Sequence, residues 1–170
     1  PADPHPDCTA VAEFSPAGAA VYSTYFGGNS PVSFSIYDGP DGIATAAGNT
    51  YITGTGTAKD IPVTRGAYQH IPGDYTNPFY LAVLSKTGSL LYASYFAGTG
   101  GTCISSPGCG AVAGNITIAP PAAPRRIYLG GTTNAANFPV SSGAFQTAYP
   151  GGINAAWAAS LRLPPLTPQH

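Results

Sequence analysis

The sequence predicts an all-β fold, and three observations carry that prediction. Turn formers are dense, with 22 Gly and 18 Pro among 170 residues. Short apolar segments are bounded by turn signals rather than spaced at a helical period. A block in the first half recurs in the second half, which makes the chain a repeat of β units.

The elements follow in order. Val11–Phe14 and Tyr22–Gly28 flank a Gly-containing turn and read as the first pair of strands. Ala46-Ala-Gly-Asn49 separates Ile43 from Tyr51-Ile52, which is a hairpin signature. Lys86-Thr-Gly-Ser89 does the same between Tyr80–Leu84 and Leu90–Phe96. In that last segment strict alternation puts Leu90, Tyr92, Ser94 and Phe96 on one face, with Leu91, Ala93 and Tyr95 on the other. Both faces are partly apolar, as in strands buried between layers. The best helical candidate is Ile153–Leu161, but the repeat aligns it with the Phe79–Leu84 strand, and tertiary context overrides Ala propensity.

The repeat has two offsets. Tyr22-Ser-Thr-Tyr-Phe-Gly-Gly28 recurs 70 residues later as Tyr92-Ala-Ser-Tyr-Phe-Ala-Gly98. From Tyr51 onward the offset is 77: Tyr51–Val63 matches Tyr128–Val140, and Gly66-Ala-Tyr-Gln69 matches Gly143-Ala-Phe-Gln146. The second unit therefore carries seven extra residues between Gly98 and Tyr128, the stretch with Cys103, Cys109 and a Pro-rich run. The chain divides into a Pro-rich segment 1–10, a two-unit domain 11–163 (11–83 and 84–163) and a Pro-rich tail 164–170.

These motifs resemble the SBBP repeat, a β-propeller-like repeat of exported bacterial and archaeal proteins. The residues that carry the resemblance are Tyr22–Gly28, Gly42-Ile-Ala44, Gly48–Gly54, Ile61-Pro-Val63 and Gly66-Ala-Tyr-Gln69. The second copy is weaker, with Gly114–Ala119 standing in for the Gly-Ile-Ala strand. The resemblance implies two β-propeller-like antiparallel units and no catalytic residue. It also exposes a mismatch, because a closed propeller has four to eight blades. The Tyr80–Leu84 type of strand occurs three times, at 11–14, 80–84 and 157–161, while its hairpin partner occurs twice. The strand at Trp157, Ala159 and Leu161, extended by Leu163, is thus expected to have an unpaired edge, and such an edge templates pairing with another chain. The N-terminal segment, through Val11 and Phe14, is the expected donor. The alternatives are that 164–170 folds back over the edge, or that the chain is part of a longer multi-blade protein.

Composition narrows function. Six basic and seven acidic residues give a net charge of −1, which excludes a basic nucleic-acid interface and a disordered, highly charged segment. No apolar run reaches the length of a membrane-spanning helix. The chain has no Met and few Lys, which points to a processed, exported product located extracellularly or on the cell surface. Cys103 and Cys109 flank a Pro-Gly turn and are expected to form a disulfide. Cys8 is then odd: it is free, pairs with one of the other two, or cross-links chains.

Chemical motifs are sparse. His5, His70 and His170 have no ligand spacing, and Asp38-Gly-Pro-Asp-Gly42 lacks the remaining oxygens of a calcium loop. There is no Gly-x-Ser-x-Gly elbow, and Glu13 is the only Glu. No catalytic residue, metal or cofactor is expected. Asn115-Ile-Thr117 is a glycosylation sequon. The expected function is therefore that of a secreted, non-enzymatic structural protein. It would assemble with itself head to tail, by strand complementation, into a filament or ring. The competing expectation is a surface adhesin or glycan-binding module using exposed aromatics.

Overall fold

The computed structural model describes residues 9–28, 39–56, 58–72, 78–98, 111–118, 126–152 and 154–168. Cys8, Cys103 and Cys109 lie outside them, as does the side chain of Asn115. Among the described residues there is no helix, and nine strands form three antiparallel sheets. The first is a hairpin of β1 (Thr9–Phe14) and β2 (Ala20–Phe26). The second has four strands in chain order: β3 (Gly39–Ala46), β4 (Asn49–Thr55), β5 (Phe79–Leu84) and β6 (Leu90–Tyr95). The third has three: β7 (Ala111–Ile118), β8 (Arg126–Thr133) and β9 (Ala155–Arg162). Of the Ala-rich segment 153–161, residues 155–161 belong to strand β9, as the repeat requires.

Turn chemistry fixes the hairpins. Ser15–Ala19 and Ser85–Ser89 close identical turns, in which the first Ser N–H bonds the last carbonyl and Gly18 or Gly88 bonds back to Ser15 or Ser85. Both glycines take φ near +80°, a conformation that costs a side-chain residue energy. Between β3 and β4 a two-residue turn, Ala47-Gly48, has φ of +52° and +75°, the mirror-image turn that suits strand twist.

The repeat is legible in the strand registers. At an offset of 70, Ala10↔Tyr25 becomes Tyr80↔Tyr95, and the bulge at Glu13/Phe14 becomes the one at Val83/Leu84. At 77, Tyr51↔Val83 becomes Tyr128↔Ser160. β3 maps onto β7 at 73, bulge included, since Gly42↔Thr53 becomes Asn115↔Gly130. The seven extra residues thus enter as three before β7 and four between β7 and β8. The bulge also corrects strict alternation in β6. Leu84 pairs with Leu90 while Val83 pairs with Tyr92, so Leu91 is the extra residue. Leu91 therefore joins Tyr92 and Phe96 in one cluster, while Leu90 packs with Ala93 and Tyr95 in the other.

The four-stranded sheet is the centre of the molecule, and all six residues of β5 are buried. One face of it, with Tyr80, Ala82 and Leu84, packs on Val11 and Phe26 of the first sheet. The other face, with Phe79, Leu81 and Val83, packs on Ile127, Leu129 and half-buried Trp157 of the third. An aromatic cluster joins the last two sheets, with Trp157 5.7 Å from Phe96 and 5.0 Å from Phe138 between ring centroids.

Candidate functional site

The site is built from what covers a sheet edge in the first unit and what is missing in the second. The outer edge of β6 is sealed by the connection that follows β4. Thr64 N–H donates to the Ala93 carbonyl at 3.0 Å, and Ala93 N–H donates to Thr64 Oγ1 at 3.2 Å. Tyr95 N–H donates to the Gln69 carbonyl at 3.1 Å, and Gln69 N–H donates to Ser94 Oγ at 3.0 Å. The Tyr95 hydroxyl accepts from Ile61 N–H and donates to the Ala58 carbonyl, both at 3.0 Å. Tyr68 rests on Phe96, with 5.3 Å between ring centroids. Burial pushes the Tyr95 phenol up to about 12; the Ile61 bond partly offsets this and the Asp60 charge adds to it.

The equivalent connection in the second unit, 138–146, has the same local fold. Ala67 N–H bonds the Thr64 carbonyl at 2.9 Å, and Ala144 N–H bonds the Ser141 carbonyl at 3.0 Å. Among the described residues no strand lies against it. Val140 is 54% exposed, Phe145 is fully exposed, and Gln146 is exposed. Phe138 N–H bonds the Ala135 carbonyl directly at 3.2 Å, closing the gap that the Tyr95 hydroxyl occupies in the first unit. Among the described residues no strand pairs with the far edge of β9. Among the described residues the result is a slot with a strand edge on one side and a preformed, uncovered connection on the other.

The expected assembly residues fall as follows. Trp157, Ala159 and Leu161 alternate along β9 and are half-buried towards the four-stranded sheet, and Trp157 Nε1 donates to the Thr132 carbonyl at 3.1 Å. Leu163 lies past β9 and is buried in the core. The tail after it packs on the core shared by the second and third sheets through Leu166, and Pro164 lies beside Gly66 of the 61–69 connection. Among the described residues it forms no backbone hydrogen bond to β9. Val11 and Phe14, the expected donor positions, lie in β1, which pairs with β2; Val11 is buried and Phe14 is 66% exposed. Asn115 pairs through its backbone with Gly130 in β7. The contribution of 138–146 was not drawn from the sequence. The match of Gly143–Gln146 to Gly66–Gln69 was its signal, but what that motif covers appears only in three dimensions.

Other chemistry is thin. No group of three His, Cys, Asp or Glu side chains clusters among the described residues. Asp41, in the bulge of β3, accepts a hydrogen bond from Thr55 Oγ1, and burial raises its carboxyl above the ordinary value although that bond opposes the shift. No described helix is long and apolar enough to cross a membrane.

Fold and site together define an all-β protein with an internal repeat and an open strand slot. No protein-family model matches the chain, and no curated protein matches it either.

Proposed function

We propose that this chain is a non-enzymatic, extracellular structural subunit that assembles with itself by β-strand complementation at the far edge of β9. The observation that supports this reading is the contrast between two equivalent connections. The 61–69 connection is hydrogen-bonded to a strand edge, whereas 138–146 holds the same turn with Phe145 fully exposed. An unpaired edge beside ready acceptors and an exposed aromatic is a site for a strand. The SBBP-like motifs fit this reading as a propeller-like scaffold whose blades are shared between subunits. Low charge fits as well, since 13 charged residues leave few ions to desolvate at a contact.

The test is light scattering after size-exclusion chromatography, with electron microscopy of the same fractions. Assemblies that grow with protein concentration are expected. A monodisperse monomer at every concentration overturns the proposal.

A further inference from the structure

The four-stranded sheet records which strand the slot takes. In it, β6 lies between β5 and the 61–69 connection. β6 supplies Ser94, Tyr95 and the backbone of Ala93 to that connection. Among the described strands, β2 carries the same side-chain order, with Tyr22, a Thr24 hydroxyl, Tyr25 and Phe26. It matches β6 at an offset of 70 through its register and its bulge. Among the described residues no strand covers its outer edge, and Tyr25 is 80% exposed where its counterpart Tyr95 is 1% exposed. Resting on the self-assembly reading above, we infer that β2 of a second copy fills the slot beside β9.

The near edge of β2 is occupied by β1, and β9 is the repeat counterpart of β1, 147 residues on. The exchange therefore replaces β1 by the β9 of another copy. Carried over from β5–β6, the new register pairs Trp157 with Tyr25, Ala159 with Ser23 and Leu161 with Ala20. β1 is the strand that leaves. Among the described strands it pairs with β2 alone, and four of its six residues are exposed. β9 pairs with β8 along its whole length and anchors Trp157 in the aromatic cluster. The Tyr25 hydroxyl then enters between Phe138 N–H and the Ala135 carbonyl, as Tyr95 does between Ile61 and Ala58.

A separate observation points to the same contact. Tyr51, 4% exposed, and half-buried Ile116 belong to the one cluster that joins the second and third sheets. Their repeat counterparts are Tyr128 and Ile43, which are 46% and 64% exposed. Strand exchange brings Tyr128 of one copy over Ile43 of the next. Each chain then contributes two complete four-stranded sheets, with β1 left over.

Two variants test the exchange. Chains carrying Ala159→Cys are mixed with chains carrying Ser23→Cys and oxidised, with wild-type chains as the control for native thiols. A linked peptide joining positions 23 and 159, absent from the control, is expected in the assembled fraction. The double variant A12C/S23C locks β1 to β2 across an observed register pair. Oxidised, it is expected to remain folded by circular dichroism and to lose at least tenfold of its assembled fraction, which returns on reduction. If assemblies form but the 23–159 link is absent, or if the locked hairpin assembles like wild type, β2 is not the donor and self-assembly through another contact stands. If wild type never assembles, both proposals fall.

Discussion

The Tyr95 hydroxyl stands between Ile61 N–H and the Ala58 carbonyl, 3.0 Å from each. It ties the outermost strand of the central sheet to the connection that covers it. The second unit shows the same connection without that hydroxyl, contracted until Phe138 N–H meets the Ala135 carbonyl at 3.2 Å. Removing the oxygen therefore has a known relaxed outcome, in which Ile61 N–H rebonds to Ala58. Tyr95→Phe is expected to cost about 1 kcal/mol, near the net worth of one hydrogen bond, rather than the larger penalty of an orphaned donor. Urea unfolding measures it; a loss above about 3 kcal/mol would show that the connection cannot contract.

The same phenol gives a pH dependence. Its folded value of about 12 lies above the ordinary tyrosine value of 10.0. A raised acid binds its proton more tightly in the fold than in the unfolded chain. Its stabilisation is full below pH 10 and is lost as pH rises from 10 to about 12. Unfolding curves across that window are expected to show falling stability in wild type and a shallower fall in Tyr95→Phe. Parallel slopes for the two proteins would exclude Tyr95 as the source.

Gly18 and Gly88 form a matched pair for backbone and packing. Both have φ near +80° in equivalent turns. A Cβ on Gly18 meets nothing within 4 Å, whereas one on Gly88 lies 2.8 Å from the Tyr22 ring. Gly18→Ala is expected to cost about 1 kcal/mol from the left-handed backbone alone. Gly88→Ala adds a packing clash worth about 1–3 kcal/mol more. Thermal denaturation compares them, and equal losses would mean that the β1–β2 hairpin yields freely.

Ala47 occupies a left-handed position at φ +52° beside Gly48 in the β3–β4 turn. Asn-Gly is the preferred pair for this turn. Ala47→Asn is expected to raise stability by about 0.5–1 kcal/mol, in the range typical of turn optimisation. A lower urea midpoint than wild type would contradict the turn assignment.

Much of this fold could be read from the residues. Tyr22–Gly28 and Tyr92–Gly98 announced the repeat, and their offset located both hairpins. Repeat alignment also overrode the helical look of the Ala-rich segment at β9, because side-chain packing of Trp157 and Leu161 decides that strand and local propensity does not. Two things were illegible. The bulge that turns Leu91 to the face of Tyr92 is set by a hairpin bond pattern that alternation cannot reveal. The edge-sealing role of Thr64 and Gln69 depends on contacts 25 to 29 residues away in sequence. Spacing shows that a motif repeats, not which strand it touches, and so the match of Gly143–Gln146 to Gly66–Gln69 did not reveal that Tyr68 rests on Phe96 while Phe145 is fully exposed.

Phe145 separates folding from assembly. The side chain is fully exposed, so Phe145→Ser removes no buried surface from the isolated chain. Stability is expected to stay within about 0.5 kcal/mol of wild type, as for surface changes away from packed features. Its counterpart Tyr68 rests on Phe96, the residue at the end of the outermost strand. If a partner strand with Phe26 takes that place, Phe145 becomes a buried contact in the assembly, where an aromatic pair contributes about 0.5–1.5 kcal/mol beyond its area. The critical concentration for assembly is expected to rise at least tenfold in Phe145→Ser, with the unfolding midpoint unmoved. Tyr68→Ser makes the complementary control, since its ring already packs on Phe96 in the single chain and its loss lowers the midpoint itself. Assembly of Phe145→Ser at the wild-type concentration would place the contact elsewhere than the slot between β9 and 138–146.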